Sequence, residues 1–578
     1  MKSILLLLGY IMLFYSANAQ LQTVFEKSEG KETATYYEVI SYYKALSEQY
    51  SEVSMQEIGM TDSGFPLHLV TVSTSREFSF SKAHKNDDAV ILINNGIHPG
   101  EPDGIEACMM LVRDVLSDKK KRAKLEGITL AIIPIYNIGG ALNRNSHSRA
   151  NQNGPNEYGF RGNAKNLDLN RDFIKMDSKN AKTFARIYHK VKPDILVDTH
   201  VSNGADYQYN ISHLTTQPDK LGGELGYYLR TLLIPKIEES MKSKGDEIIP
   251  YVNVFNTTPD AKGYQQFMDY PRYSSGYTAL YATIGFTTET HMLKPFDVRV
   301  SATYRFIESM LEIAQKDGLR IKVKRASQLT TSIVGKEVPI HWALDTTKYR
   351  TLLFKGYEGR YQKSEVTGFD RLYYDREKPF TKEIPYYNEF IASTKIVAPK
   401  AYVIPQAWSE VIDRLQLNDV KMKRLKSDTT IAVERYRIAA YATSKRPYEA
   451  HYPHNNTQVV ATKKNVLFRK GDYWISMNQP AARFLIEVLE PQASDSYFNW
   501  NFFDTILQQK EHFSPYVFEE TAQQLLLENK KLKTAFETKK KEEQDFANSP
   551  MAQLNYIYKN SPHFEANYLQ YPVFRVLK

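Results

Sequence analysis

Short apolar runs at Ala89–Ile93, Leu130–Ile135, Ile195–Val197 and Tyr281–Thr288 do most to limit the folds open to this chain. Each has the length and composition of a buried strand. Stretches with helical patterning lie between them, at Gly104–Leu116, Ala181–Val191 and Leu225–Met241. Strands alternating with helices predict an α/β domain, a mixed and mostly parallel sheet flanked by helices. A helix over Tyr36–Glu48 and a strand over Leu67–Val72 precede this core, and a helix over Ala302–Lys316 closes it near Gly318–Lys324. In open α/β sheets the chemistry sits at the carboxyl ends of the strands. Here those ends carry His98 and Glu101, then His200, then Glu289.

A chain of 578 residues is too long for one ordinary core. Residues 325–480 show short strand-like runs with few good helices, so a β-rich accessory domain is expected to follow, with a late helix at Ala522–Ala547. The expected division is 1–19 as signal peptide, 20–320 as catalytic domain and 321–578 as accessory domain. The first segment is read from Met1-Lys2, the apolar Ile4–Tyr15 and the small-x-small site Ala17-Asn18-Ala19. Cleavage after Ala19 predicts a secreted or periplasmic protein, in a bacterial setting. No later run reaches the ~18 apolar residues of a membrane span. The net charge of +9 is spread over mixed-sign surface and gives no nucleic-acid footprint. Cys108 is the sole cysteine, so no intrachain disulfide is available, and its place on an apolar helix face reads as core.

His98 and Glu101 share one turn, rich in Gly and Pro, where an imidazole and a carboxylate can bind one zinc ion together. His200 supplies a distant third ligand, and two histidines with one glutamate leave a fourth position open for water. Hydrolysis also needs a general base, for which Glu289 is suited in type and place. A cation for the oxyanion is available in Arg161 or Arg171, around the segment Asn166–Asp172.

These residues together resemble the zinc metallocarboxypeptidase family, carboxypeptidases A, B, N and E among them. The family's His-x-x-Glu stands as His98-Pro99-Gly100-Glu101, and its Asp-Leu-Asn-Arg-x-Phe as Asp168-Leu169-Asn170-Arg171-Asp172-Phe173. The resemblance implies one zinc ion held by His98, Glu101 and His200, with Glu289 as general base. It implies that Asn170 and Arg171 hold the free C-terminal carboxylate of a peptide substrate. Arg161 takes the oxyanion role by its position in the N/E branch, with Arg149 as competitor. The tyrosine that closes over the substrate is matched by Tyr273 or Tyr277. Two positions depart from the family: Asn137-Ile138-Gly139-Gly140 after the second strand, and Asp172 before Phe173.

Other residues read more plainly. His291 is expected to be structural, His451 and His454 to lie in a surface loop, and Asp198 either to orient the site or to cap a loop. Two rival functions remain. One is a zinc amidase or deacylase acting on peptidoglycan stem peptides or N-acyl amino acids. The other is an inactive peptidase scaffold used as a binding module.

Overall fold

The computed structural model describes residues 21–259 and 262–577. The expected signal peptide, with its cleavage site at Ala19, lies outside the described residues. Strands β1 (Val53–Met60), β2 (Pro66–Ser73), β3 (Ala89–Asn94), β4 (Ile128–Ile133), β5 (Ile195–Ser202), β6 (Ile211–Thr215), β7 (Ile248–Pro250), β8 (Tyr264–Gln265) and β9 (Ile284–His291) precede residue 300. All but β8 form one eight-stranded sheet, ordered β1-β2-β4-β3-β5-β9-β6-β7. Its centre is parallel, β4-β3-β5-β9, and both flanks bring in antiparallel pairs. The central strands are buried along their whole length, as continuous Val/Ile/Leu runs require when helices cover both faces. The expected fold class is therefore the one observed.

Helices α1 (Tyr36–Gln49), α2 (Asp103–Ser117), α3 (Lys179–Val191) and α4 (Phe296–Thr330) pack against this sheet. Close packing of α2 depends on Gly104, where an added Cβ would lie 2.1 Å from Thr199 Oγ1 on β5. A buried ion pair joins α2 to α4: Arg299 Nε donates to Asp103 Oδ2 at 3.0 Å. Thr290, next to Glu289, donates to the same Asp103 carboxylate. Helix α2, the end of β9 and the start of α4 are thus tied at the edge that bears the site.

The C-terminal half is antiparallel and β-rich. Strands β10 (Glu337–Leu344) and β13 (Phe390–Val397) pair, and the long hairpin β11 (Arg350–Lys363) with β12 (Asp370–Tyr387) captures β8. A six-stranded sheet holds β14 (Ala401–Ile404), β15 (Lys423–Arg424), β16 (Thr429–Thr443), β17 (His454–Phe468), β18 (Tyr473–Ser476) and β19 (Phe574–Val576). Some of its apolar residues, among them Tyr402, Ile404 and Ile475, join the hydrophobic cluster of the large sheet, where Tyr281 stacks on Phe484 at 5.7 Å, while Ala401, Val403, Val433 and Phe468 form a cluster of their own.

Several expectations change. The boundary expected at 320/321 falls inside α4, which runs on to Thr330. The late helix splits into Pro515–Glu528, Lys530–Glu542 and Gln544–Ala547, and helices at Ala482–Leu489 and Pro550–Lys559 were not foreseen. The helix expected over Leu225–Met241 is interrupted by a π turn at Leu229–Leu233. Strand β1 escaped notice because it is an edge strand with a mixed, half-exposed pattern. Among the described residues, no helix is long and apolar enough to cross a membrane.

Candidate metal centre and substrate pocket

The turn after β3 is closed by a hydrogen bond from the Glu101 amide to the His98 carbonyl at 2.8 Å. This puts both side chains beneath the end of β5, where His200 projects. The three offer ligand atoms within 4.8 Å of one another, and all three are buried. Glu101 sits between the rings, its Oε1 3.3 Å from His98 Nδ1 and its Oε2 2.9 Å from His200 Nδ1.

What lies behind the rings decides their proton positions. His98 Nε2 is 2.9 Å from Asp168 Oδ1, and His200 Nε2 is 3.1 Å from Asp198 Oδ2. A carboxylate on Nε2 fixes the ring proton there and leaves the Nδ1 lone pair for a metal. Both Nδ1 atoms face the Glu101 carboxylate, so two nitrogens and an oxygen converge. That donor set fits zinc with an open coordination position. Asp198 therefore orients His200, and Ser274 donates to Asp198 in turn.

Glu289 is the direct register partner of His200 across the parallel pair β5–β9. Burial pushes its carboxyl up to about 8; Glu101 and Asp198 push the same way, and His200 and Arg161 oppose them. Burial works against ionisation at Glu101 too, yet His98 and Arg149 outweigh it and hold that carboxyl well below its usual range.

Two arginines reach the centre. Arg149 Nη1 lies 2.9 Å from Glu101 Oε1, while Arg161 lies 3.7 Å from the same oxygen and donates to Asp168 at 3.0 and 2.8 Å. Of the two, Arg161 lines the cavity in front of the triad. That cavity, about 320 Å³, is also lined by Glu289, Asn170, Arg171 and Tyr273. Arg171 stacks over the Tyr273 ring at 4.7 Å, and its Nη1 stays 3.8 Å from Asp168. Tyr277 is fully buried and donates to Asn418 at 2.7 Å, so of the two tyrosines it is Tyr273 that faces the cavity.

Residues 39–200 match the family model described as zinc carboxypeptidase. Over that segment the chain is similar to zinc carboxypeptidases. Similar proteins include carboxypeptidase 2 of Trichophyton equinum, 21% identical over 432 residues, covering 70% of this chain and 72% of that protein. Carboxypeptidase 2 of Trichophyton rubrum is also 21% identical, over 435 residues, with the same coverage. Among solved structures, a metallo-carboxypeptidase from Burkholderia cenocepacia covers 49% of this chain and 70% of its own, at 16% identity and a TM-score of 0.38.

The remaining histidines take other parts. His291 pairs with Asp206 at 3.0 Å and packs on Tyr207, a structural role as expected. His454 corrects the surface-loop expectation, being buried at the start of β17, while His451 does lie in the loop before it. His451 meets Asp177 at 2.8 Å and His454 meets Asp504 at 3.0 Å, so each ring is held by its own carboxylate. Cys108 is core, and burial pushes its thiol up to about 12.

Two residues of the site were missed. Asp168 was legible as part of a motif but not as the partner of His98. Tyr251 lines the cavity, where burial and the nearby Glu289 hold its hydroxyl above its usual range. It follows the three-residue strand β7, too short to announce itself by periodicity.

Proposed function

We propose that this protein is an exopeptidase that removes the C-terminal residue of peptides, using one zinc ion held by His98, Glu101 and His200. The observation that carries the reading is a single cavity that joins the ligand triad, Glu289 and the Asn170-Arg171 pair. When bound, zinc supplies Lewis-acid polarisation of the scissile carbonyl and a water made acidic enough to lose its proton near neutrality.

This chain's residues do the rest. In its ionised form Glu289 accepts the proton from the attacking water at a carboxylate oxygen and passes it to the leaving amine nitrogen. Arg161 stands by to stabilise the oxyanion. The Arg171 guanidinium, with Asn170, grips the terminal carboxylate through paired charge-assisted hydrogen bonds. Tyr273, stacked on Arg171, covers that grip. Export through the N-terminal signal is part of the same proposal.

The test compares matched peptides with free and amidated C-termini, read by mass spectrometry, with holoenzyme and with Arg171→Ala. The wild type is expected to release one residue from the free acid and to spare the amide. Arg171→Ala should erase most of that preference while keeping zinc; a misplaced substrate costs on the order of 10²-fold. Equal wild-type cleavage of acid and amide would overturn the exopeptidase reading in favour of an amidase. Release of internal fragments would do the same for an endopeptidase.

A further inference from the structure

The turn Asp168–Arg171 serves both halves of the proposed reaction. Asp168 backs His98 and holds Arg161, while Asn170 and Arg171 face the cavity. Inside the turn, Asp168 Oδ1 accepts the Asn170 amide at 2.9 Å. The Asp168 amide itself finds no partner in the catalytic half. Its acceptor is Glu449 Oε2, at 2.8 Å, from the loop that joins β16 to β17.

That loop is built to deliver this one contact. Glu449 and Ala450 are consecutive non-glycine residues in the left-handed region, at φ 50° and 67°. Such backbone persists where its surroundings over-determine it. Here the flanking residues do so: the Tyr448 amide donates to the His451 carbonyl at 2.7 Å, and the His451 amide returns a bond at 3.1 Å. Tyr448 stacks on Trp500, and His451 is held by Asp177. Glu449 stands between them, its side chain half-buried against the Asp168 turn. Its charge faces the like charge of Asp168, with Lys175 and Arg171 on the favourable side. A carboxylate in that place thus does more than accept one hydrogen bond: its charge also acts on Lys175 and Arg171.

We propose that Glu449 is a positioning residue: by accepting the Asp168 amide, it fixes the turn that presents Asp168 to His98 and Arg171 to the substrate. The C-terminal half then belongs to the active site, and the β16–β17 loop sets how firmly metal and substrate carboxylate are held. The substrate part of this inference rests on the exopeptidase reading; the metal part does not.

Three readouts on the zinc-loaded full chain test it, with Glu449→Ala and Glu449→Gln beside wild type. Hydrogen exchange by mass spectrometry reads the peptide spanning residues 167–171. Chelator competition reads zinc affinity. Steady-state kinetics on a free-acid peptide separate KM from kcat. Partners of ligand histidines tune metal affinity by 10–100-fold, so one step further out Glu449→Ala is expected to cost about 3- to 10-fold. The alanine variant should also speed exchange at 167–171 and raise KM more than it lowers kcat. Gln keeps an oxygen for the amide, so Glu449→Gln should restore exchange protection and zinc affinity while retaining part of the KM defect through its lost charge.

Wild-type exchange and zinc affinity in Glu449→Ala would overturn the proposal. So would a glutamine variant as impaired in zinc affinity as alanine, because the hydrogen bond would then not be the carrier. If the wild type cleaves no peptide at all, the exopeptidase reading falls, and the exchange and metal readouts still decide the role of Glu449. Should the alanine variant fail to fold, the glutamine variant carries the test by itself: loss of zinc affinity there refutes the proposal.

Discussion

Two clusters of buried charge lie close together in this molecule, and both set histidine and carboxylate side by side. One is the triad His98, Glu101 and His200 with its carboxylate supports. The other, a few residues beyond the Asp168 turn, holds Asp172, Lys175, Asp177, Arg414 and His451. In the second, every charge is answered from within. Lys175 Nζ bridges Asp172 at 2.8 Å and Asp177 at 2.7 Å, and Asp177 also takes Arg414 at 3.2 Å and His451 at 2.8 Å. Asp172 accepts the amides of Asp177 and Ser178 as well. In the first cluster the supports stand behind the ligands, and the ligand atoms turn toward one another at the wall of a cavity. A closed ion cluster joins two halves of a chain. A cluster with one open side can take something in. Burial and charge are common to both, so direction separates the site from the brace.

Exchanging a histidine in each cluster should give the largest contrast. His98→Ala or His200→Ala should drop zinc from about one per molecule to near none and abolish turnover. His451→Ala should keep its zinc. Metal analysis by mass spectrometry checks both, and full zinc in either ligand variant would dissolve the distinction. The next effect is on rate alone. Glu289→Gln should retain fold and metal yet lose roughly 10²–10⁴ in kcat, the contribution of a well-placed general base. Near-normal turnover would move the proton to another carboxylate.

The smallest effect belongs to the brace and appears in stability. Lys175 and His451 hold the Asp177 carboxyl well below its usual range, against the opposing effect of burial. A carboxylate with a depressed folded pKa adds stability above its unfolded pKa of about 3.9 and loses that stability as pH falls below it. Asp177→Asn should therefore cost about 2 kcal/mol near pH 7. The gap from wild type should close in urea melts taken progressively below pH 4. A gap that stays constant with pH would mean that Asp177 acts by shape and not by charge.

The sheet and its chemistry were legible because both follow local rules. Continuous apolar runs mark the buried parallel strands, and His98, Glu101, His200 and Glu289 sit where such strands end. Supports were harder to see. Asp168 and Asp198 become partners of His98 and His200 only once the sheet aligns segments far apart in sequence. The roles of His451 and His454 were hidden for the same reason: their carboxylates, Asp177 and Asp504, are 274 and 50 residues away. Strand β1 was hidden by the polar face an edge strand turns to solvent. Of the helices after residue 480, Ala482–Leu489 packs into the large core, while those from Pro515 onward gather a small cluster of their own around Phe518, Leu532 and Ile557, with few apolar residues in each helix to mark it.

The place of β19 has a consequence for synthesis. All three metal ligands are made by residue 200 and the proposed base by residue 289. Yet Arg272, beside Tyr273, is gripped by Asp495 through contacts at 2.9 and 2.8 Å, and it stacks on Trp500. Strand β19 then inserts between β14 and β16, completing the sheet whose hairpin carries Glu449. A chain growing from its N-terminus thus holds its reactive groups long before it can assemble the pocket rim. The hairpin that carries Glu449 is thus paired with a strand that comes after every proposed site residue in the chain.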